Sequence, residues 1–258
     1  MGGYILCQTP RATTPFFIKN IQMNIFSLEE LCYYLCHNLY LADKSLFNEE
    51  LCFWLATELK LPALAQRLRP YLSKAVSTGD LIYPIFKEIN YLSYEELKKL
   101  NVELREMDAM PSRQRRKKKG DAFMKNGMYR KAIDLYTELL SEEGEDQSGL
   151  TRNICHNLGC AYSRLFQMEK AAELFAKAYE QSKDEQELIS CLLAARTFYD
   201  GDAYLAYAAG LGAGDEVLDK VKLKIQAFEE KDQQAIMPAD IDAKLEEIMR
   251  EYHRSTMP

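Results

Sequence analysis

The sequence has little glycine and proline and no long apolar run. It holds 12 glycines and 8 prolines in 258 residues, well below the roughly 25–30% of Gly plus Pro that is typical of low-complexity chains. No segment approaches the ~18 uninterrupted apolar residues of a membrane-spanning helix. The first residues lack the positive charge that opens a signal peptide. We therefore expect a soluble, cytoplasmic protein that does not associate with a membrane.

The sequence also lacks the common catalytic and metal-binding motifs. Its 3 histidines lie in separate regions, and none of its 7 cysteines is spaced as Cys-x-x-Cys. No phosphate-binding loop, Gly-x-Ser-x-Gly or His-Glu-x-x-His motif is present. His156 and Cys160 would be neighbours on one helix face, but no carboxylate near them in the sequence would orient the imidazole. We therefore predict no enzyme activity, no catalytic residue, no cofactor and no metal site.

The first half of the chain indicates short helices after a different N-terminal segment. Residues 27–110 predict a helical N-terminal domain, in which Ser27 and Glu30 have the spacing of a capping box. In residues 1–26, two β-prone runs flank a Pro- and Thr-rich connection. This pattern predicts an extended arm or a short β-hairpin within residues 3–18.

Two segments of the second half repeat one pattern of small and aromatic residues. In each, an aromatic residue follows a glycine by three positions, an alanine follows that glycine by twelve, and another aromatic residue comes four later. The positions are Gly120, Phe123, Ala132 and Tyr136 in the first segment, and Gly159, Tyr162, Ala171 and Phe175 in the second. The small residues would lie where two antiparallel helices approach most closely, and the aromatic residues would fill the remaining space.

This pattern resembles the tetratricopeptide repeat, in which Leu-Gly-x-x-Tyr in a first helix precedes Ala-x-x-x-Phe in a second. The resemblance implies an all-α fold with a short α-solenoid at residues 111–230. Its repeats would occupy 112–141 and 151–182, followed by a degenerate repeat at 186–230. An amphipathic helix at 238–254 would cap the exposed end of the stack, and docking of a partner is the alternative role for that helix.

Tetratricopeptide arrays bind peptides or partner helices on the inner face of their first helices. The resemblance therefore implies a non-enzymatic protein–protein interaction or scaffold function, with a protein or peptide partner. Ten residues would line the groove: Gln114, Lys117, Lys118, Asp121 and Lys125 in the first repeat, and Asn153, His156, Asn157, Cys160 and Arg164 in the second. The alternative is a groove filled by the N-terminal helices or arm of the protein itself.

Two of these residues match a clamp with which some relatives hold the acidic C-terminus of heat-shock chaperones. The matching residues are Lys117 and Asn157, whereas Asp121 stands where the clamp has Asn. Glu187 and Cys191 stand where a third repeat would supply Lys or Arg. An acidic segment other than the chaperone tail is therefore the expected ligand.

A basic run lies at the start of the first repeat helix. Six of the seven residues 113–119 are cationic, in a chain of net charge −6. Such a run can neutralise phosphates, which gives the alternative function of a nucleic-acid-associated regulatory protein. Because the run has no interleaved aromatic residue, we favour a solvated or intramolecularly paired face, or an acidic protein partner, over nucleic acid.

Overall fold

The computed structural model describes residues 9–43, 45–74, 76–142, 149–233 and 240–256. Thirteen helices and one two-stranded sheet in these ranges confirm the all-α class. The chain divides into two compact units: the first runs to Arg115 and includes the segment from Asp240, and the second is Arg116–Ala239. No helix in the described ranges is both long enough and apolar enough to cross a membrane.

The first unit contains a small sheet and six of the helices. The elements before residue 110 are β1 (Phe16–Ile18), β2 (Met23–Ile25), α1 (Leu28–His37), α2 (Glu49–Thr57), α3 (Pro62–Leu72), α4 (Thr78–Glu88) and α5 (Tyr94–Ala109), with a short 3₁₀ helix at Leu39–Leu41. The helix α1 begins at the predicted cap, where the Ser27 hydroxyl accepts a hydrogen bond from the Glu30 N–H at 3.2 Å. Leu28, Leu31 and Leu35 on this helix are fully buried in the core of the unit.

The hairpin lies C-terminal to the range in which the sequence predicts it. Residues Phe16–Ile18 form a strand, but its partner is Met23–Ile25, and Phe16 lies opposite Ile25. The connection is short, and Gln22 in it has a left-handed φ of 53°. A short connection brings two apolar strands together at a low cost in loop entropy. The other predicted β-prone run, at residues 4–7, lies outside the described residues.

The N-terminal segment that the structure describes is bound within the first unit. The Trp54 indole N–H donates to the Thr14 carbonyl at 2.8 Å. The Thr13 and Thr14 amides both donate to the Glu58 carboxylate, at 3.1 and 2.9 Å. These bonds attach the segment to α2 and to the residue that follows it.

The last helix, α13 (Ile241–Thr256), also belongs to the first unit. It contacts β2, and the Asn24 side-chain amide donates to the Arg254 carbonyl at 3.3 Å. The apolar residues of this helix, including Leu245 and Ile248, are about half exposed. Its role as a cap of the repeats stays a prediction.

The second unit consists of helices that pack in chain order. They are α6 (Ser112–Lys125), α7 (Tyr129–Ser141), α8 (Leu150–Arg164), α9 (Met168–Ser182), α10 (Glu185–Ala195), α11 (Gly201–Gly210) and α12 (Asp215–Gln233). The division between the units falls inside α6, after Arg115. Helix α7 packs on α8, α8 on α9, and α9 on α10. This succession of neighbouring contacts is the arrangement of an α-solenoid.

Close helix approach occurs at the two glycines that define the repeat pattern. A Cβ atom at Gly159 would lie 2.8 Å from the ring of Phe175, and a Cβ atom at Gly120 would overlap the ring of Tyr136. In each pair, the aromatic residue of the second helix therefore rests against the backbone of the first. Ala132 and Ala171, the paired small residues, are fully buried.

The degenerate third repeat still forms a packed helical pair. Leu188, Ile189 and Leu192 of α10 are buried together with Tyr204 and Ala208 of α11. On its other side α10 uses small residues, since Cys191 and Ala194 pack against Ala171, Ala172 and Phe175 of α9. Packing between these larger side chains, among them the Tyr204 ring, thus replaces the glycine-to-ring contact in this pair.

We expect the substitution Gly159→Leu to lower the free energy of unfolding of the protein by about 1–3 kcal/mol, because the added side chain must displace the Phe175 ring. Urea unfolding followed by circular dichroism measures this change. Gly210→Leu is the matched control, since a Cβ atom there meets no atom within 4 Å. Equal midpoints for the two variants would contradict the close-packing argument.

Candidate functional site

The Asp121 carboxylate is the centre of a polar network that joins three helices. It accepts hydrogen bonds from the Tyr136 hydroxyl at 2.6 Å and from the Asn157 side-chain amide at 2.7 Å. It also forms an ion pair with Lys117, with an Nζ–Oδ2 distance of 2.9 Å. Burial and the neighbouring Asp121 carboxylate raise the pKa of Tyr136 above its ordinary value. Asp121 on α6 thus fixes side chains of α7 and α8.

The network brings together three of the predicted groove residues and engages them with one another. The Lys117 ammonium and the Asn157 amide, the two residues that match the carboxylate clamp, both bind Asp121. The Lys117 side chain is only 17% exposed. A ligand carboxylate would therefore have to compete with Asp121 for both groups.

A second cluster joins α8 to α10 through His156. The imidazole Nδ1 lies 2.7 Å from the Glu187 carboxylate, and Nε2 lies 3.5 Å from the Cys160 sulfur. Glu187 is a buried carboxylate, and burial of a charged group is costly unless a partner compensates it. The hydrogen bond with Cys160 raises the pKa of His156 to about 9, burial opposes this rise, and Glu187 adds to it.

The sequence did not reveal Glu187 as the partner of His156. The two residues are separated by 31 positions, so no local sequence pattern connects them. A signal was present, since Glu187 is on the first helix of the third repeat, at a position that faces the groove in this resemblance. The expectation that His156 has no orienting carboxylate is therefore corrected.

Arg152 extends this cluster along α8. Its guanidinium lies 4.0 Å from Glu187 and 3.9 Å from Asp184, and it donates to the Asn153 side-chain oxygen at 2.8 Å. The Asn153 oxygen is thus occupied within the chain. Within the described ranges its side-chain amide nitrogen donates to no acceptor.

An open cleft lies beside these two clusters within the second unit. It has a volume of about 750 Å³. Its lining residues lie on α6, α8 and α10, on α7 and α9, and just after α10: Met124, Lys125, Tyr129, Cys160, Ser163, Arg164, Met168, Phe175, Ser190, Leu193, Ala194 and Thr197. We call this space the inner cleft.

The inner cleft combines apolar side chains with two exposed cations. Lys125 and Arg164 are exposed, and among the residues that the structure describes neither forms an ion pair with a carboxylate. Cys160 is the third predicted groove residue in the lining. Gln114 and Lys118 do not line the cleft; Gln114 is half-buried, and Lys118 is exposed.

The basic run at 113–119 is partly neutralised within the chain. The Arg116 guanidinium pairs with Glu138 at 2.8 Å and also with Glu142. The hydrogen bond with Glu142 raises the pKa of Arg116. These pairs, together with the Lys117–Asp121 pair, fit the intramolecularly paired face. Nothing in the described part of the chain favours the nucleic-acid alternative, which stays a prediction.

We expect Asp121→Ala to lower the free energy of unfolding by about 2–3 kcal/mol, because the buried Tyr136 hydroxyl would lose its acceptor. Urea unfolding measures the loss. Asp134→Ala is the matched control, since Asp134 is an exposed aspartate on α7. The network would be unimportant for stability if both variants unfolded at the midpoint of the unchanged protein.

The His156 cluster predicts a pH-dependent part of the stability. Because the pKa of His156 rises from 6.5 to about 9 on folding, the stabilisation is complete below pH 6.5 and is lost as the pH rises through 9. The difference in urea midpoint between the unchanged protein and His156→Gln should therefore shrink between pH 6 and pH 10. His37→Gln, which removes an imidazole from another helix, is the control. A difference that stays constant or grows with pH would contradict this assignment.

Comparison with known proteins agrees with the helix pairing of the second unit. Residues 153–185 match the family model of the tetratricopeptide repeat. No curated protein and no solved structure gives a significant match to the chain. The matched residues cover most of α8 and all of α9, the pair in which Phe175 rests on Gly159. Sequence match and packing together identify residues 153–185 as a tetratricopeptide repeat.

Proposed function

We propose that this protein is a non-enzymatic interaction module that binds an acidic peptide segment of a partner protein in the inner cleft. Tetratricopeptide repeats generally mediate protein–protein interactions, and stacked repeats present a continuous concave surface for this purpose. The observation that carries the proposal is the open cleft of about 750 Å³ that residues of three successive helical pairs line.

The charges of the cleft determine the sign of the expected ligand. Lys125 on α6 and Arg164 on α8 lie on the lining and are exposed. Neither side chain has an ion-pair partner among the described residues, so both can approach a ligand carboxylate directly. An arginine can also hold a carboxylate through two parallel hydrogen bonds. A peptide with at least one acidic side chain or a free C-terminus fits these groups.

The apolar lining determines the second requirement on the ligand. Tyr129, Met168 and Leu193 are half-buried and contribute apolar surface to the cleft. Methionine adapts its shape to different side chains, and an aromatic ring offers a large flat contact. We therefore expect the acidic segment to include an apolar residue that contacts these side chains.

The mode of binding differs from a carboxylate clamp. Lys117 and Asn157 are held by Asp121, so the main electrostatic contribution moves to Lys125 and Arg164. Asn153 lies outside the cleft lining, and its side-chain oxygen accepts from Arg152. In this proposal Lys117 and Asn157 shape the groove and contribute less to binding.

The test uses three pools of fluorescein-labelled peptides of equal length, which are acidic, neutral or basic and otherwise random. Fluorescence anisotropy with the full chain should show binding of the acidic pool above that of the other two. Lys125→Glu with Arg164→Glu should weaken this binding by roughly tenfold or more, because two attractive charges become repulsive.

Arg130→Glu with Lys177→Glu is the matched control for the test. Both residues are exposed cations on the second helices α7 and α9, outside the cleft lining. This pair changes the net charge by the same amount, so it should leave binding of the acidic pool nearly unchanged. Equal weakening by both pairs, or preference for the basic pool, would refute the proposal.

A further inference from the structure

Three side chains of different chemistry form one line of contacts at the edge of the inner cleft. Cys160 is half-buried and belongs to the cleft lining. Its sulfur lies 3.5 Å from Nε2 of His156, and Nδ1 of the same ring lies 2.7 Å from the Glu187 carboxylate. We propose that Cys160 is a nucleophilic thiol that hydroperoxides oxidise to a sulfenic acid, with His156 as its base and Glu187 as the residue that orients His156.

The sequence of contacts from Glu187 to His156 to Cys160 gives each residue a defined chemical role. When Glu187 accepts the hydrogen on Nδ1, the lone pair of the imidazole is on Nε2, which faces the thiol. This is the arrangement in which an adjacent base removes the proton of a nucleophile and a third group orients that base. Because the pKa of His156 is raised to about 9, the fraction of rings with this free lone pair increases as the pH rises towards 9.

The orienting group is held more firmly than a surface carboxylate would be. The Glu187 side chain is 7% exposed, and the Arg152 guanidinium lies 4.0 Å from its Oε1, whereas His156 Nδ1 contacts its Oε2. The His156 ring also lies against Phe175, with 5.5 Å between the ring centroids. The hydrogen bond with Glu187 and the contact with Phe175 both restrict rotation of the imidazole. They therefore hold Nε2 close to the Cys160 sulfur.

The reaction is balanced with a hydroperoxide as the only co-reactant. His156 takes the thiol proton, and the sulfur attacks the terminal oxygen of the peroxide. A sulfur–oxygen bond forms while the oxygen–oxygen bond breaks, and the electron pair leaves with the departing oxygen. That oxygen takes the proton from His156, which yields an alcohol or water. The sulfur is oxidised by two electrons and the peroxide is reduced by two.

The environment of Cys160 differs from that of the other cysteines in the described residues. Cys32, Cys52, Cys155 and Cys191 are buried, and buried thiols in apolar surroundings are inert. Burial raises the pKa of the Cys36 thiol to about 11, which disfavours its reactive thiolate. Cys160 alone among these described cysteines combines cleft access with a contacting imidazole. Arg164, one helical turn further on, adds a positive charge to the same lining.

This proposal does not depend on peptide binding. It concerns one thiol and its two neighbours, and it would hold in a cleft that binds no partner. Failure of the anisotropy test would therefore leave it standing, and its own failure would leave the peptide proposal standing.

The experiment treats the full chain with hydrogen peroxide in the presence of dimedone, which traps sulfenic acids. Peptide mass spectrometry then gives the rate of labelling at each cysteine, and fragmentation separates Cys155 from Cys160 within their shared tryptic peptide. Among the six cysteines at described positions, Cys160 should be labelled fastest. His156→Gln and Glu187→Gln should each slow labelling at Cys160 by roughly tenfold or more, since a positioned general base contributes about 10²–10⁴-fold to a rate.

His37→Gln and Glu185→Gln are the matched controls, because they remove an imidazole and an α10 carboxylate that do not contact Cys160. Both should leave the rate at Cys160 unchanged. The proposal is overturned if Cys160 is labelled no faster than Cys36 in the unchanged protein, or if folded His156 and Glu187 variants react as fast as that protein. Because the first comparison needs no substitution, unfolding of a variant does not remove the test.

Discussion

The first two helical pairs of the second unit depend on contact between an aromatic ring and the backbone of a glycine. Phe175 reaches Gly159, and Tyr136 reaches Gly120, at distances that no Cβ atom would allow. This contact sets how closely the two helices of a pair approach, and the approach of the helices decides which side chains meet at the inner face. The Asp121 network is one result, because Tyr136 both rests on Gly120 and donates its hydroxyl to Asp121. Tyr136 thus connects the close packing of the helices with the hydrogen-bond network of Asp121.

The polar groups of the inner face divide into those that stabilise the helix stack and those that remain available to a ligand. The Asp121 network satisfies its members internally, as buried polar groups require. Lys125 and Arg164 lie outside it and line open space. The His156 cluster is intermediate, since Glu187 is buried while Cys160 lines the cleft. The groups available to a ligand therefore lie toward the C-terminal ends of α6 and α8.

The sequence predicted the repeat helices well because their signal is local. Gly, Ala and aromatic residues at fixed spacing reflect contact between adjacent helices, and a family match at 153–185 agrees with that interpretation. The hairpin was harder to locate, since three-residue strands carry almost no periodicity. The partner of His156 was not predicted, because side chains on successive first helices meet only after the stack has formed. Which groove residues bind each other is decided by such tertiary contacts.

The buried Glu187 also affects how the protein can be divided into fragments. It lies on α10, just beyond the segment that matches the family model. A fragment that ended with the match would lose the carboxylate that holds His156, and it would expose the faces of Ala171 and Phe175 that α10 covers. The smallest fragment that keeps the chemistry of this repeat intact must therefore continue to the end of α10.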